Sequence, residues 1–392
     1  MLERAQELTD VLVDTRRDIH RHPELSFQEN RTAQKAAERL AALGIKARTG
    51  VGKTGVVGDL GQSGPRIALR ADMDALPIQE ANEVSYASLV PGVMHACGHD
   101  VHVACLLGAA QLLAEEASAG RLPGQVRFLF QPAEESQDAE GLSGAMRMVN
   151  EGVMDGVDAV AGLHVWADLP VGTISLREGP ATAYPDKFKL VIKGREAHGA
   201  FPHEGFDAIT LSAQVINALQ TVISRRLDPT RGKVLTVGTI EGGTKDNIMA
   251  GQVTMTGTIR SFEPETREAL FAEMERACGV ARALGGDFDL TIYPGYNPVV
   301  NDPDLTALVR NTGADLLGAE NVSEAPLEMG GEDFCYFAEK APGCFFMIGG
   351  ATPGEAKRRH HHPLFDVDER SLPLGAALLA EVAVRYLEQA SS

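Results

Sequence analysis

Cys97 and His99 stand two residues apart, with Gly98 between them, in the stretch Met94-His95-Ala96-Cys97-Gly98-His99-Asp100. A cysteine and a histidine so spaced can reach one divalent cation, and thiolate with imidazole suits Zn²⁺ and its transition-metal neighbours. Two ligands do not make a site, so further donors are needed. Of eleven histidines, His95, His99 and His102 surround the cysteine, and His360, His361 and His362 form a run before Pro363. Glu134 and Glu135 follow an apolar stretch and Pro132. Adjacent residues of extended backbone point apart, so one carboxylate can bind metal while the other faces water. A general base must not itself be tied up as a ligand.

Each of these residues also has an ordinary reading. The paired acids after Pro132 resemble a helix start answering the helix dipole. His164, on an apolar strand, is by itself more often a satisfied core histidine than a ligand. The triple histidine reads as a solvated loop, Cys97 as a buried thiol, and Asp72 and Asp74 as turn caps. Five such readings falling together at strand ends are harder to sustain than any one alone.

The elements that would position these residues are legible in outline. Helices are expected over 3–20 and 28–43, with Gly44 stopping the second. Strands are expected at 55–60, 67–70, 126–130 and 159–165, alternating with helices over 101–117 and 144–150. That order predicts an α/β fold: a mixed, mostly parallel sheet flanked by helices, with chemistry on loops at the strand carboxyl ends. After about Gly179 the pattern changes. Strands at 188–193, 234–240, 253–261 and 288–293, with helices over 208–225 and 266–284, follow a β-α-β-β-α-β order. This is a ferredoxin-like α+β arrangement, a self-contained unit of roughly 100 residues. It reads as an insertion over 180–296, dividing a domain made of 1–179 and 297–392. The chain closes with a helix over 373–388.

Composition limits the function. At 392 residues the chain exceeds one ordinary core, and 44% hydrophobic with 23% charged residues is normal for a globular enzyme. The formal net charge of −18 argues against nucleic acid and anionic membranes as partners. It would also repel a carboxylate-bearing substrate, which must meet a local arginine or a metal. Five cysteines (Cys97, Cys105, Cys278, Cys335, Cys344) lack a framework spacing and fit a reducing compartment. No signal-peptide core or run of ~18 apolar residues is present, so the expected location is cytoplasmic.

Taken together, RRDIHRHPELSFQE, ALRADMDALPIQE, MHACGHDVH, FLFQPAEE, GLHVW, AHGAFPHEGFDAI, GTIRSF, GGEDF and HHPLFDVDE run nearly end to end. In that order they resemble the di-metal amidohydrolase and metallopeptidase superfamily of aminoacylase and glutamate carboxypeptidase. More narrowly, they resemble its branch of N-acyl-amino-acid amidohydrolases, hippurate hydrolases and indole-acetyl-amino-acid hydrolases. The resemblance implies a zinc-peptidase-like catalytic domain and an inserted lid and dimerisation domain. It implies two divalent ions per subunit (Zn, Mn, Co or Ni), with Cys97 bridging, His99 and His164 on one ion, and Glu135 with a late histidine on the other. The family's His-x-Pro pattern selects His361, with His362 as the alternative. Glu134 falls on the general base. Asp72 stands where the wider superfamily has a metal-binding histidine, so Asp72 and Asp74 are expected to support ligands.

The implied reaction is hydrolysis of an N-acyl amino acid by an activated water. Two cations roughly 3.5–4 Å apart can share a water, lower its pKa and polarise a carbonyl. His198 resembles the lid histidine that stabilises the oxyanion, in relatives from a neighbouring subunit. Asn247 and Arg260 match positions that hold the substrate carboxylate. Rival readings are a dipeptidase or carboxypeptidase of the same superfamily, a thiol enzyme with Cys97 as nucleophile and His99 as base, and a catalytically silent binding protein. A homodimer or higher homo-oligomer through the inserted domain is expected.

Overall fold

The computed structural model describes residues 1–352 and 359–391. Two compact units emerge: Met1–Ala181 with Val299–Pro326 and Glu332–Ser392, and Thr182–Pro298 with Leu327–Gly331. The short return of Leu327–Gly331 to the second unit has no counterpart in the sequence reading. No helix among the described residues is long and apolar enough to cross a membrane.

The first unit is built on an eight-stranded sheet. Its order is Lys46–Val51, Gly55–Leu60, Gln125–Gln131, Arg66–Asp72, Ala159–Pro170, Gly343–Ala351, Ile174–Leu176 and Val322–Glu324. The four middle strands, Gln125–Gln131 to Gly343–Ala351, run parallel. Lys46–Val51, Gly55–Leu60 and the Ile174–Leu176 contact with Gly343–Ala351 add antiparallel pairs. Continuous apolar runs such as Val126–Phe130 suit strands covered on both faces. Helices His99–Ser118 and Ser371–Ala390 pack on each other and on Arg66–Asp72 and Ala159–Pro170. His99–Ser118 is buried almost all round, as expected of a helix apolar on every face. The two helices approach closely through glycines: a Cβ on Gly108 would lie 2.7 Å from Ala376 Cβ, and one on Gly375 2.6 Å from Cys105 Sγ.

The second unit has an antiparallel sheet in the order Asp287–Tyr293, Asp186–Lys193, Gln252–Ser261 and Lys233–Gly242. With helices Ala208–Thr221 and Pro264–Cys278 it forms the expected β-α-β-β-α-β arrangement around its own core, which includes Phe188, Leu190, Val215, Met255 and Met274.

Several elements differ from expectation for identifiable reasons. The first helix is two, Leu2–Glu7 and Thr9–Arg21; the Thr9 hydroxyl donates to the Gln6 carbonyl at 2.6 Å, a local bond that competes with helix continuation. The helix over 208–225 ends as a π turn, Val222–Arg226, and the one over 266–284 divides into Pro264–Cys278 and Val280–Ala283. Lys46–Val51 escapes a hydrophobic-pattern reading because it is an edge strand, mostly exposed. Gly343–Ala351, with glycines at 349 and 350, lacks a clean strand signature although it lies mid-sheet.

Candidate metal centre

The site grows from the carboxyl ends of parallel strands. Arg66–Asp72 runs into Met73-Asp74, and Gln125–Gln131 runs into Pro132-Ala133-Glu134-Glu135. Between Cys97 and His99 the chain turns through Gly98 at φ +96°, where a Cβ would fall 2.3 Å from Val165 Cγ1. Glycine alone takes that backbone at that proximity. His99 then opens helix His99–Ser118, two residues earlier than periodicity predicts.

Asp74 ties these pieces together. Its Oδ1 accepts the Glu134 N–H and its Oδ2 the Glu135 N–H, both at 3.1 Å. Its backbone oxygen accepts from His99 Nδ1 at 2.8 Å. One buried residue thus orients both acids and the first histidine. Behind it, Glu29 accepts the Ala133 N–H at 2.8 Å, holding a residue at φ +45°. Burial, then the nearby Asp74 charge, pushes the Glu29 carboxyl up to about 7.

The ring nitrogens have distinct partners. Nδ1 of His99 donates to Asp74, and its Nε2 is buried without an aligned hydrogen bond, 3.7 Å from Asp72 Oδ2. His164 Nδ1 donates to the Val165 carbonyl at 2.8 Å, leaving Nε2 facing Cys97 Sγ at 3.4 Å. A histidine whose other nitrogen is fixed on a backbone carbonyl is the usual form of a metal ligand. His361 Nε2 lies 3.0 Å from Glu135 Oε1, which has no aligned hydrogen-bond partner. Three donor groups overlap: Cys97 with His99 and His164, Cys97 with Glu135 and His361, and His99 with Glu134 and Glu135, each within 4.8 Å. All five expected ligands and the expected base are therefore brought together. His362 turns away, its Nδ1 accepting the Leu364 N–H at 3.1 Å.

Charge supports a cation here. Burial disfavours protonating His99, yet Asp72 and Asp74 outweigh it and pull the pKa up to about 10. The Cys97 thiol is pushed well up by burial and then by Glu135 and Glu134. Glu134 is likewise raised well above the carboxylate range, first by burial, then by Glu332, Glu135 and Asp333. The carboxyl groups of Asp72, Asp74, Glu134 and Glu135 and the Cys97 thiol crowd around His99, a donor chemistry that fits bound divalent metal.

Asp72 forms a further group with His99 and His102 within 4.8 Å, and Arg70 Nη1 meets its Oδ2 at 2.6 Å. Burial opposes its charge, but Arg70 with His99 and His102 holds it well below its ordinary value. His102 has both nitrogens occupied: Nδ1 on Asp72 Oδ1 at 2.6 Å and Nε2 accepting the Val165 N–H at 2.9 Å. Both its nitrogens are thereby engaged, although it sits among the donors. Buried Arg70 also reaches Glu332 at 2.8 Å and Asp333 at 3.2 Å.

In the second unit, His198 and Asn247 are exposed neighbours: His198 pairs with Ile248, and Gly199 N–H donates to the Asn247 carbonyl at 2.8 Å. His198 Nδ1 accepts the Ala200 N–H at 3.1 Å. Arg260 is half-buried and donates to the carbonyls of Met329, Asp186 and Ile259 and to the Thr258 hydroxyl. Burial lowers its pKa.

Two features went unassigned in the sequence reading. His360 lies against Cys97, Nδ1 3.2 Å from the cysteine carbonyl and 3.9 Å from Sγ; the His-x-Pro register drew attention to its neighbour instead. Arg16 is fully buried and joins Asp100 at 2.7 Å to Asp366 and Glu369, both at 3.2 Å. It links the residue after His99 to the segment after the histidine run. The RRDIH motif marked the region without indicating that role.

Residues 68–385 match Peptidase family M20/M25/M40. The chain is 42% identical to N-acetyl-L-cysteine deacetylase of Bacillus subtilis, over 97% of this chain and 89% of that protein. It is 41% identical to thermostable carboxypeptidase 2 of Saccharolobus solfataricus, over 97% of each. A crystal structure of a dinuclear metal-binding peptidase of the M20 family from Bacillus subtilis superposes with a TM-score of 0.84 at 37% identity, covering 98% of this chain and 99% of that one. On the strength of motif order, fold and these relatives, the chain belongs to the M20/M25/M40 peptidase family and is a hydrolase of its amidohydrolase kind.

Proposed function

We propose that this protein hydrolyses the amide bond of N-acyl amino acids, releasing a carboxylic acid and a free amino acid. The observation that carries the reading is the convergence of Cys97, His99, His164, Glu135 and His361 beside Glu134, with Nδ1 of both buried histidines fixed on a backbone carbonyl. These five residues would hold two divalent ions. When bound, the ions acidify water from 15.7 toward about 7 and polarise the scissile carbonyl. Glu134 takes a proton from water and returns it to the departing nitrogen, as a carboxylate beside the donors and not itself among the five proposed ligands can do. Asp74 and Glu29 keep the acid pair oriented through the backbone.

The same reading gives the 180–296 segment the part of a lid and assembly domain. His198 would donate to the oxyanion, and Asn247 and Arg260 would bind the substrate carboxylate. Arg260 supports this in one respect: it is a half-buried guanidinium, the group type best suited to a bidentate contact with a carboxylate. A homodimer in the cytoplasm, with no nucleic acid or membrane partner, completes the proposal.

The acyl-amino-acid substrate is preferred over a peptide because the deacetylase relative acts on an N-acetyl amino acid by name. The carboxypeptidase relative keeps the peptide-cleaving reading open. Turnover of N-acetyl and N-benzoyl amino acids should exceed turnover of unblocked dipeptides and of C-terminal peptide bonds. The reverse order would replace this reading with a peptidase.

A further inference from the structure

We propose that His360 is a positioning residue for Cys97: a neutral imidazole fixed in its Nδ1–H form, donating to the cysteine and tempering its thiolate. The inference rests on Cys97 being a metal ligand, as proposed above. It begins with the ring's other nitrogen. His360 Nε2 accepts the Ala167 N–H at 3.2 Å, so that nitrogen bears no proton and the ring's hydrogen lies on Nδ1. Nδ1 then faces Cys97, 3.2 Å from its carbonyl oxygen and 3.9 Å from Sγ. The second distance is within reach of a hydrogen bond to sulfur.

The ring has little freedom to leave. Trp166 lies 4.7 Å away with planes at 34°, and Phe365 5.0 Å away at 44°. His164, whose Nε2 also faces Sγ, lies 5.2 Å away edge-on. A metal-ligand role for His360 is disfavoured by the same bonds: one nitrogen accepts a backbone amide and the other carries the proton. What remains is a donor aimed at Cys97, which belongs both to the group with His99 and His164 and to the group with Glu135 and His361. An N–H directed at a thiolate withdraws electron density from sulfur, which would preserve the ions' ability to polarise a carbonyl. Partners of this kind tune a metal centre without touching the metal.

Cobalt(II) makes the idea visible, because a thiolate ligand gives a charge-transfer band whose energy follows the electron density on sulfur. The purified full-length protein, its Cys97→Ser variant and three His360 variants would be loaded with Co²⁺ alone. His360→Phe keeps the aromatic stack and removes the donor. His360→Asn places an amide N–H near the Nδ1 position, and His360→Leu is a second donor-free variant should Phe not fold. Trp166, the chain's one tryptophan, reports through its emission whether the pocket survives. The expected result is a band in the wild type that is absent from Cys97→Ser, shifted to longer wavelength in Phe or Leu, and moved back in Asn. A band at one wavelength in all three His360 variants and the wild type, with Trp166 emission intact, would overturn the role of His360 alone. No thiolate band in the wild type would instead overturn Cys97 as a ligand, and the proposed centre with it.

Discussion

The two halves of the proposed donor set are built differently. His99 and His164 are buried, at 1% and 7% exposure, and each has its Nδ1 fixed on a backbone carbonyl. The other half pairs Glu135 with His361, whose side chain is 51% exposed. His361 adopts φ +58°, sparsely populated for a histidine, and is tied down by its own N–H to the Ala96 carbonyl at 2.8 Å. One half is preorganised by the sheet and the long buried helix, while the other depends on a surface loop. Preorganised donors lose less freedom on binding, so the two ions should differ in affinity. The ion held on the Glu135 side should leave first under chelation.

Breaking the chemistry while sparing both halves should have the largest effect. Glu134→Gln is expected to lower kcat by about 10²–10⁴-fold while metal content is unchanged, measured by steady-state turnover alongside elemental analysis. Retained turnover would remove Glu134 from the mechanism. Next come the halves themselves. His361→Ala should leave a protein that still takes up one equivalent of metal. His99→Ala should disturb uptake more deeply, since Asp74 and Asp72 lose their partner too. Equal losses in the two variants, read by metal titration, would erase the contrast.

The support beneath the site offers a stability test. Arg16 holds three carboxylates with no exposed surface. Arg16→Met leaves buried Asp100 with only His20, at 2.9 Å, and is expected to cost about 3–5 kcal/mol in denaturant unfolding. A smaller, signed effect concerns Glu29, raised from 4.5 to about 7. Between those values the unfolded chain has lost the proton that the folded chain keeps. Stability therefore falls as pH rises through that window, by on the order of 3 kcal/mol. Glu29→Gln should flatten that slope in unfolding curves taken from pH 4 to pH 8; an unchanged slope would assign it to another group.

Much of this was legible in the residues. The apolar strands ending at Asp72 and Gln131, and the buried strand carrying His164, announced themselves by composition, because a strand covered on both faces must be apolar throughout. Cys97, His99 and the Glu134-Glu135 pair stood out by type and spacing. Less legible was anything that depends on side-chain direction. Nothing in the string HHH distinguishes a histidine that faces Glu135, one that donates to Cys97 and one that bonds Leu364. Nor does sequence show that Asp74 holds two acids by their backbone while His102 is consumed by Asp72 and Val165. Edge strands such as Lys46–Val51 stayed hidden because exposure lets polar residues fill them.

The most direct test counts metal against turnover in one sample. Protein dialysed against chelator and reloaded stepwise with Zn²⁺, Mn²⁺ or Co²⁺ would be assayed on an N-acetyl amino acid with elemental analysis at each step. Two equivalents per chain, bound in two stages, with hydrolysis rising as the centre fills, is the predicted outcome. Full hydrolysis by protein stripped of metal would contradict it.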